Sequence, residues 1–311
     1  MALILVTGAA GFIGRALCRD LVERGHSVLG PTRRLAEPIP GARLRAIGDI
    51  DPKTDWAPHL DGVEIVVHLA NRAHRRVGHG AGGDEAATAA VLARAAAGAG
   101  VRRFVHMSSV RAMGNVTKPG APFRCTDRPL PRDPYGRGKL AVERSLQAAT
   151  RDTALELVIL RPPLVYGPGV EANFRMLIGL VACGLPLPFA GIDNRRSLIF
   201  IDNLVDLTAR ACEHYHAAGR VLLARDAVDL STPELIRVLA AGLGRPARLF
   251  AVPQGLLAAL HLFPALGSLI SRLTLSLQVD DGETRAALAW SPAVLPEIGL
   301  TATARAFRES M

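Results

Sequence analysis

Only four cysteines occur in the 311 residues, and Cys18, Cys125, Cys183 and Cys212 are scattered without a paired spacing. That excludes a disulfide framework and a cysteine-based zinc site, and it suits a reducing compartment. The nine histidines supply no metal site either, because the closest pair, His214 and His216, is expected to point to different sides of a helix. Aromatic residues make up 5% of the chain and are hardly interleaved with its arginines. The net charge of +9 is therefore spread rather than blocked, and no nucleic-acid surface is expected. An uninterrupted apolar run of membrane length is also missing. The most apolar late stretch, residues 256–277, is broken by His261, Pro264, Ser268, Ser271 and Arg272. It reads as a buried helix pair rather than a membrane span, and it leaves a peripheral membrane contact open. The amino terminus shows no basic leader, apolar signal region or cleavage site, so the cytoplasm is the expected location. No internal repeat is present, and the only low-complexity segment is a glycine-rich loop over residues 79–83.

What is present is a chain with 49% hydrophobic residues, long enough to bury the core of a large α/β domain and a smaller lobe. Strand-like runs recur at residues 3–7, 27–30, 44–47, 65–69, 104–108 and 155–160, with helix-length segments between most of them, notably 84–99 and 135–149. This alternation predicts a doubly wound parallel Rossmann sheet. After Arg161-Pro162-Pro163 the rhythm changes to proline- and glycine-rich turns. The expected division is a cofactor-binding domain over 1–166 and, over 167–311, a mainly substrate-binding lobe with segments that return to the sheet.

The first strand runs directly into Gly8-Ala9-Ala10-Gly11-Phe12-Ile13-Gly14. Three glycines spaced three apart between a strand and a helix are the arrangement that lays a dinucleotide pyrophosphate on a helix amino terminus. Gly8 permits the tight turn, Gly11 brings backbone N–H groups to the phosphates, and Gly14 lets a helix over residues 12–24 pack against the strand. A glycine-rich turn of an ordinary α/β domain is the alternative. Further along, Tyr135 and Lys139 stand four apart at the start of a predicted helix, so both project from one face. A free tyrosine titrates near ~10, and a neighbouring ammonium favours its phenolate, which suits proton transfer. Ser109 follows the fifth strand, at the sheet edge where parallel α/β proteins place ligand groups.

The segments Thr7 to Gly14, Gly48-Asp49-Ile50, His68-Leu69-Ala70, Ser108-Ser109, Tyr135-Gly136-Arg137-Gly138-Lys139 and Arg161-Pro162-Pro163-Leu164-Val165-Tyr166-Gly167-Pro168-Gly169 span nearly the whole chain. Together they resemble the extended short-chain dehydrogenase/reductases, the NAD-dependent epimerase/dehydratase family of nucleotide-sugar enzymes. With Ala172-Asn173-Phe174, Asn194 to Ser197 and Ser276 to Asp280, the chain is similar to the branch of bacterial UDP-hexose 4-epimerases and the 4-keto reductases that form UDP-N-acetylquinovosamine. The resemblance implies Ser109, Tyr135 and Lys139 as catalytic residues. It implies a cofactor site of Gly8, Gly11, Phe12, Ile13, Gly14, Asp49, Ile50, Leu69, Ala70, Tyr135, Lys139 and Pro162. Substrate contacts are implied for Ser109, Asn173 and Arg196, the last two on the nucleotide diphosphate. Their alternatives are a helix cap for Asn173 and a surface ion pair for Arg196. Family members often dimerise through the two long helices, so a homodimer is a further expectation.

Three departures stand out. Thr32 occupies the place of the acid that ends the second strand, and Arg33-Arg34 follow it, which favours NADP(H) over NAD unless the two are solvated loop charges. The family's asparagine on the helix after the fourth strand is missing, and Asp84 or Glu85 stands near there. Leu164 replaces a common substrate-binding asparagine. The leading reading is a 4-keto sugar reductase acting on a UDP-hexose for surface polysaccharide. The alternatives are a UDP-glucose or UDP-N-acetylglucosamine 4-epimerase, an enzyme on a lipid-linked sugar, and a non-catalytic cofactor-binding sensor. A dehydratase is disfavoured because Val110-Arg111, not an Asp-Glu pair, follow Ser109.

Overall fold

A computed structural model describes residues 1–70, 81–118, 120–253, 271 and 273–311. Its strands are β1 (Leu3–Thr7), β2 (Ser27–Thr32), β3 (Ala42–Ala46), β4 (Ile65–His68), β5 (Arg103–Met107), β6 (Glu156–Arg161), β7 (Leu164–Tyr166), β8 (Leu198–Phe200) and β9 (Val221–Leu223). The helices are α1 (Phe12–Glu23), α2 (Ala57–Leu60), α3 (Ala81–Gly98), α4 (Pro134–Thr150), α5 (Ala172–Ala182), α6 (Ile201–Glu213), α7 (Thr232–Gly242), α8 (Gly282–Leu288) and α9 (Pro296–Glu309). Among the described residues, seven strands form one sheet in the order β3-β2-β1-β4-β5-β6-β9, with every neighbouring pair parallel. This is the doubly wound topology, and its strand order reverses between β1 and β4. β7 and β8 pair separately, also in parallel.

Both sheet faces are covered, which is why the central strands are apolar at nearly every position rather than at alternate ones. Ile4, Val6, Val67, Val105 and Val158 lie in a core with Leu17 and Leu21 of α1 and Leu204 of α6. Their neighbours Leu5, Val66 and Phe104 point to the opposite face, where Leu92, Ala93, Val142 and Leu146 of α3 and α4 cover them. At the carboxyl edge of the sheet Thr7, His68, His106 and Ser108 are buried polar side chains. The beginning of α4 is fixed locally, since the Asp133 carboxylate accepts the Gly136 N–H and Pro134 opens the first turn.

The predicted strands are present, with ends displaced by one or two residues; β2, for example, continues to Thr32. Helix α3 begins at Ala81, so 81–83 belong to a helix rather than to the expected loop, with Asp84 in the first turn where a carboxylate favours the helix dipole. Residues 79–80 and most of the apolar stretch 256–277 lie outside the described residues. The reading of His214 and His216 as opposite sides of a helix is corrected. α6 ends at Glu213, and Tyr215–Ala217 form a 3-10 turn that brings the two rings to 5.5 Å. Among the described residues no helix is long and apolar enough to cross a membrane, and no cluster of metal-ligating side chains forms.

Candidate active site

The glycine turn is a case where bare backbone decides the geometry. Gly8 sits at φ +75°, a conformation that glycine adopts without strain, and the Gly11 N–H closes the turn on the Gly8 carbonyl at 3.0 Å. A Cβ on Gly14 would lie 2.1 Å from the Gly8 oxygen, so only glycine lets α1 start this close to the turn. A Cβ on Gly8 would meet the Ala70 nitrogen at 3.0 Å, which puts the Leu69-Ala70 backbone against the turn. The Thr7 hydroxyl fixes that approach, accepting the Ala70 N–H at 3.3 Å and bonding His68 Nδ1 at 2.8 Å. Gly11 is the N-cap residue of α1 and offers no side-chain cap, and Phe12 and Ile13 lie in its first turn. Uncapped N–H groups behind a turn with no room for side chains fit a dinucleotide pyrophosphate. At the other end of that expected site, Thr32 ends β2, and its hydroxyl donates to the Arg34 carbonyl at 2.9 Å. Arg33 is paired: its Nε lies 2.7 Å from Asp49 Oδ1, both side chains being largely exposed. Ile50, next along, packs partly buried at the rim of the α3/α4 core.

Ser109 follows β5 and Tyr135 lies in the first turn of α4, and both segments reach Arg111. Ser109 caps the 3-10 turn Val110–Ala112, accepting the Arg111 N–H at 3.2 Å. The Val110 N–H in turn donates to the Pro162 carbonyl at 2.9 Å, which ties the Arg161-Pro162-Pro163 run to this corner. Gly136 brings α4 in, because a Cβ there would be 2.2 Å from the Arg111 carbonyl. The Arg111 guanidinium lies 5.9 Å from the Tyr135 ring centre and is held by Asp133 at 2.7 Å. That carboxyl sits below its usual range through the Gly136 N–H and Arg111, although burial opposes the shift. Tyr135 is 41% exposed, whereas Lys139, one turn on, is 4% exposed. The ammonium of Lys139 has Glu85 Oε1 of α3 at 3.5 Å and the Met107 carbonyl at 3.5 Å. Burial lowers its pKa and the Glu85 carboxylate opposes that shift.

Behind Lys139 lies a buried polar layer that the sequence reading did not assemble. Glu143, one turn beyond Lys139, takes both arms of Arg161 at 3.0 and 2.5 Å and also accepts the Ser108 hydroxyl. His68 and His106 stack at 5.6 Å. Burial, reinforced by the Lys139 charge, lowers the His68 pKa to about 3 and holds His106 well below its ordinary value. One signal was available: Tyr135, Lys139 and Glu143 are spaced four apart, so the helix face that carries the acid is the face that carries the pair. No local signal marked Arg161, Arg111 or Asp133 as partners.

The residues expected on the substrate side are placed differently. Asn173 is exposed in the first turn of α5 and does not cap it; Glu171 is the N-cap residue. Arg196 is fixed by its backbone to Leu230 and by its guanidinium to the Leu275 carbonyl at 2.8 Å. Tyr166, in the proline-rich motif, is fully buried and donates to Asp226 at 2.7 Å.

Comparison with known proteins identifies the family. The chain is 38% identical to a UDP-glucose 4-epimerase of Vibrio cholerae over 99% of its own length and 96% of that protein's. Among solved structures it is similar to a UDP-glucuronic acid 4-epimerase from Bacillus cereus in complex with NAD (TM-score 0.79, 22% identity, 99% of each chain). It is also similar to a UDP-glucose 4-epimerase from Thermotoga maritima with UDP-glucose (TM-score 0.78, 23% identity, 99% of each chain). The profile of the NAD dependent epimerase/dehydratase family matches residues 4–223. With the glycine cradle, the parallel sheet and this match together, the chain belongs to the NAD-dependent epimerase/dehydratase family.

Proposed function

We propose that the protein is a UDP-hexose 4-epimerase that works with bound NAD, with Tyr135 as the acid/base. The observation that carries the reading is a half-exposed Tyr135 with a buried Lys139 one helical turn away on α4, together with Ser109 directly after β5 at the carboxyl edge of the sheet. NAD, when bound, supplies the reversible hydride acceptor for the sugar carbon. The chain's own residues handle the proton and the orientation. The Lys139 ammonium stabilises the Tyr135 phenolate, which takes the proton from the 4-hydroxyl and returns it when the carbonyl is reduced. The Ser109 hydroxyl bonds the same oxygen and fixes its position relative to Tyr135. Lys139 keeps donors for the ribose hydroxyls. Asn173 and Arg196 are proposed for the diphosphate. The boundary near residue 166 is proposed as the division between the cofactor and sugar halves.

Two observations move the reading from the reductase to the epimerase. The first is the near full-length likeness to the Vibrio cholerae epimerase. The second is the Arg33–Asp49 pair, which sets a carboxylate beside one of the two cations expected to receive a 2′-phosphate. Reduction of a 4-keto sugar by NADPH is the second reading and rests on Arg34. The two separate on the cofactor released from protein purified without added nucleotide, identified by mass and absorbance. Stoichiometric NAD supports the epimerase; an empty site that prefers NADPH, with turnover of a 4-keto sugar, replaces it with the reductase.

A further inference from the structure

Glu85 has no part in the reaction as described, yet its position beside Lys139 is specific. Among the described residues, the charged and titratable groups around Lys139 come from four elements packed against it and from its own helix. From α4 there are Tyr135 and Glu143, from β6 Arg161, from β4 and β5 the neutral His68 and His106, and from α3 Glu85. Arg111 and Asp133 pair with each other at the start of α4. Glu143 is already occupied, with Arg161 on both oxygens and the Ser108 hydroxyl on one. Of the two nearby carboxylates, Glu85 is therefore the one left to balance the buried ammonium. A buried ammonium that loses its carboxylate tends to give up its proton. The separation of 3.5 Å exceeds the 2.7–2.9 Å usual for a tight charge-assisted hydrogen bond. The ammonium is shared between Glu85 and the Met107 carbonyl, each at 3.5 Å, rather than tied to one acceptor. The resemblance places an asparagine on this helix, and a neutral amide would carry no charge to do this.

We propose that Glu85 is a positioning residue that keeps Lys139 charged and directed to Tyr135, so that the alkaline limit of turnover is set by the Glu85–Lys139 pair. The proposal rests on the reading of Lys139 as the support for Tyr135, and the test separates the two. The chain has three lysines, Lys53, Lys118 and Lys139. In protein labelled with [13Cε]lysine, the Lys139 signal is assigned by Lys53→Arg and Lys118→Arg, and its titration is read directly without turnover.

The expected result in Glu85→Gln is a Lys139 pKa lower by about one unit or more, the size that an adjacent opposite charge exerts. Glu85→Asp should give a smaller shift. The alkaline limb of the kcat profile for the UDP-hexose should move down by the same amount, with about a tenfold loss of turnover on that limb. An unchanged Lys139 titration in Glu85→Gln, in protein whose thermal unfolding matches the parent, overturns the proposal. So does a uniform fall in kcat with the limb in place. If the parent turns over no UDP-hexose, the proposed function fails, and the titration alone still decides whether Glu85 sets the charge on Lys139.

Discussion

Tyr135 and Tyr166 sit in opposite settings, and the contrast separates the proposed acid/base from a structural donor. Tyr166 is fully buried, and Asp226 accepts its hydroxyl, the Phe200 N–H and the Asn203 amide. Burial and the carboxylate raise the Tyr166 pKa far above the normal range, so it keeps its proton and joins β7, β8 and α6. Tyr135 is 41% exposed, with a cation one turn away and a guanidinium near its ring. The same side chain is a fixed donor in one place and the proposed acid/base in the other. The neighbour's charge and access to solvent decide which.

The sharpest way to break this contrast is a pair of matched substitutions. Tyr135→Phe should lower kcat by about a hundred- to ten-thousand-fold, with the midpoint of thermal unfolding and cofactor content unchanged. Tyr166→Phe should leave kcat within a few-fold but cost about 1–3 kcal/mol in denaturant unfolding, because Asp226 loses a buried donor. If the two phenotypes exchange, the assignment of roles is wrong. Next in size, Glu143→Gln should cost about 3–5 kcal/mol of stability by leaving Arg161 buried without its carboxylate. A loss below about 1 kcal/mol would mean that the layer behind Lys139 is not held by that pair.

Acid should act on the same layer. A histidine with a pKa near 6.5 unfolded and about 3 folded binds fewer protons in the native state, so stability falls as pH drops from 6.5 towards 3. Between pH 6.5 and 5, His68 should account for about 1–2 kcal/mol of that loss, and His68→Gln should remove it. Urea unfolding at the two pH values measures the difference, and an equal pH dependence in parent and variant would remove His68 as its source. The smallest effect concerns cofactor choice. Asp49→Asn should release Arg33 and improve NADP binding over NAD by a few-fold in a competition titration. It should scarcely change stability, since the pair is exposed.

Much of the cofactor half was legible in the sequence because its determinants are local. The strand at Leu3–Thr7, the glycine spacing and the four-residue interval from Tyr135 to Lys139 are each fixed within a few positions. The groups that tune the site were not legible, because each is a contact between distant positions. Glu85 reaches Lys139 across 54 residues, Arg111 reaches Asp133 across 22, and Arg161 reaches Glu143 across 18. Local patterning cannot register such pairs, and a sheet that carries helices on both faces creates them. Arg33 illustrates the same point from the other side: as a neighbour of Arg34 it reads as a phosphate receptor, but the turn after β3 brings it Asp49.

The most direct measurement is the NMR spectrum of UDP-glucose incubated with the purified protein, with no nicotinamide nucleotide added, for the parent and for Tyr135→Phe. The account predicts that the parent forms the 4-epimer until the two sugars reach equilibrium and that Tyr135→Phe forms almost none. Unchanged UDP-glucose with NAD-loaded parent protein, or equal conversion by Tyr135→Phe, would contradict it.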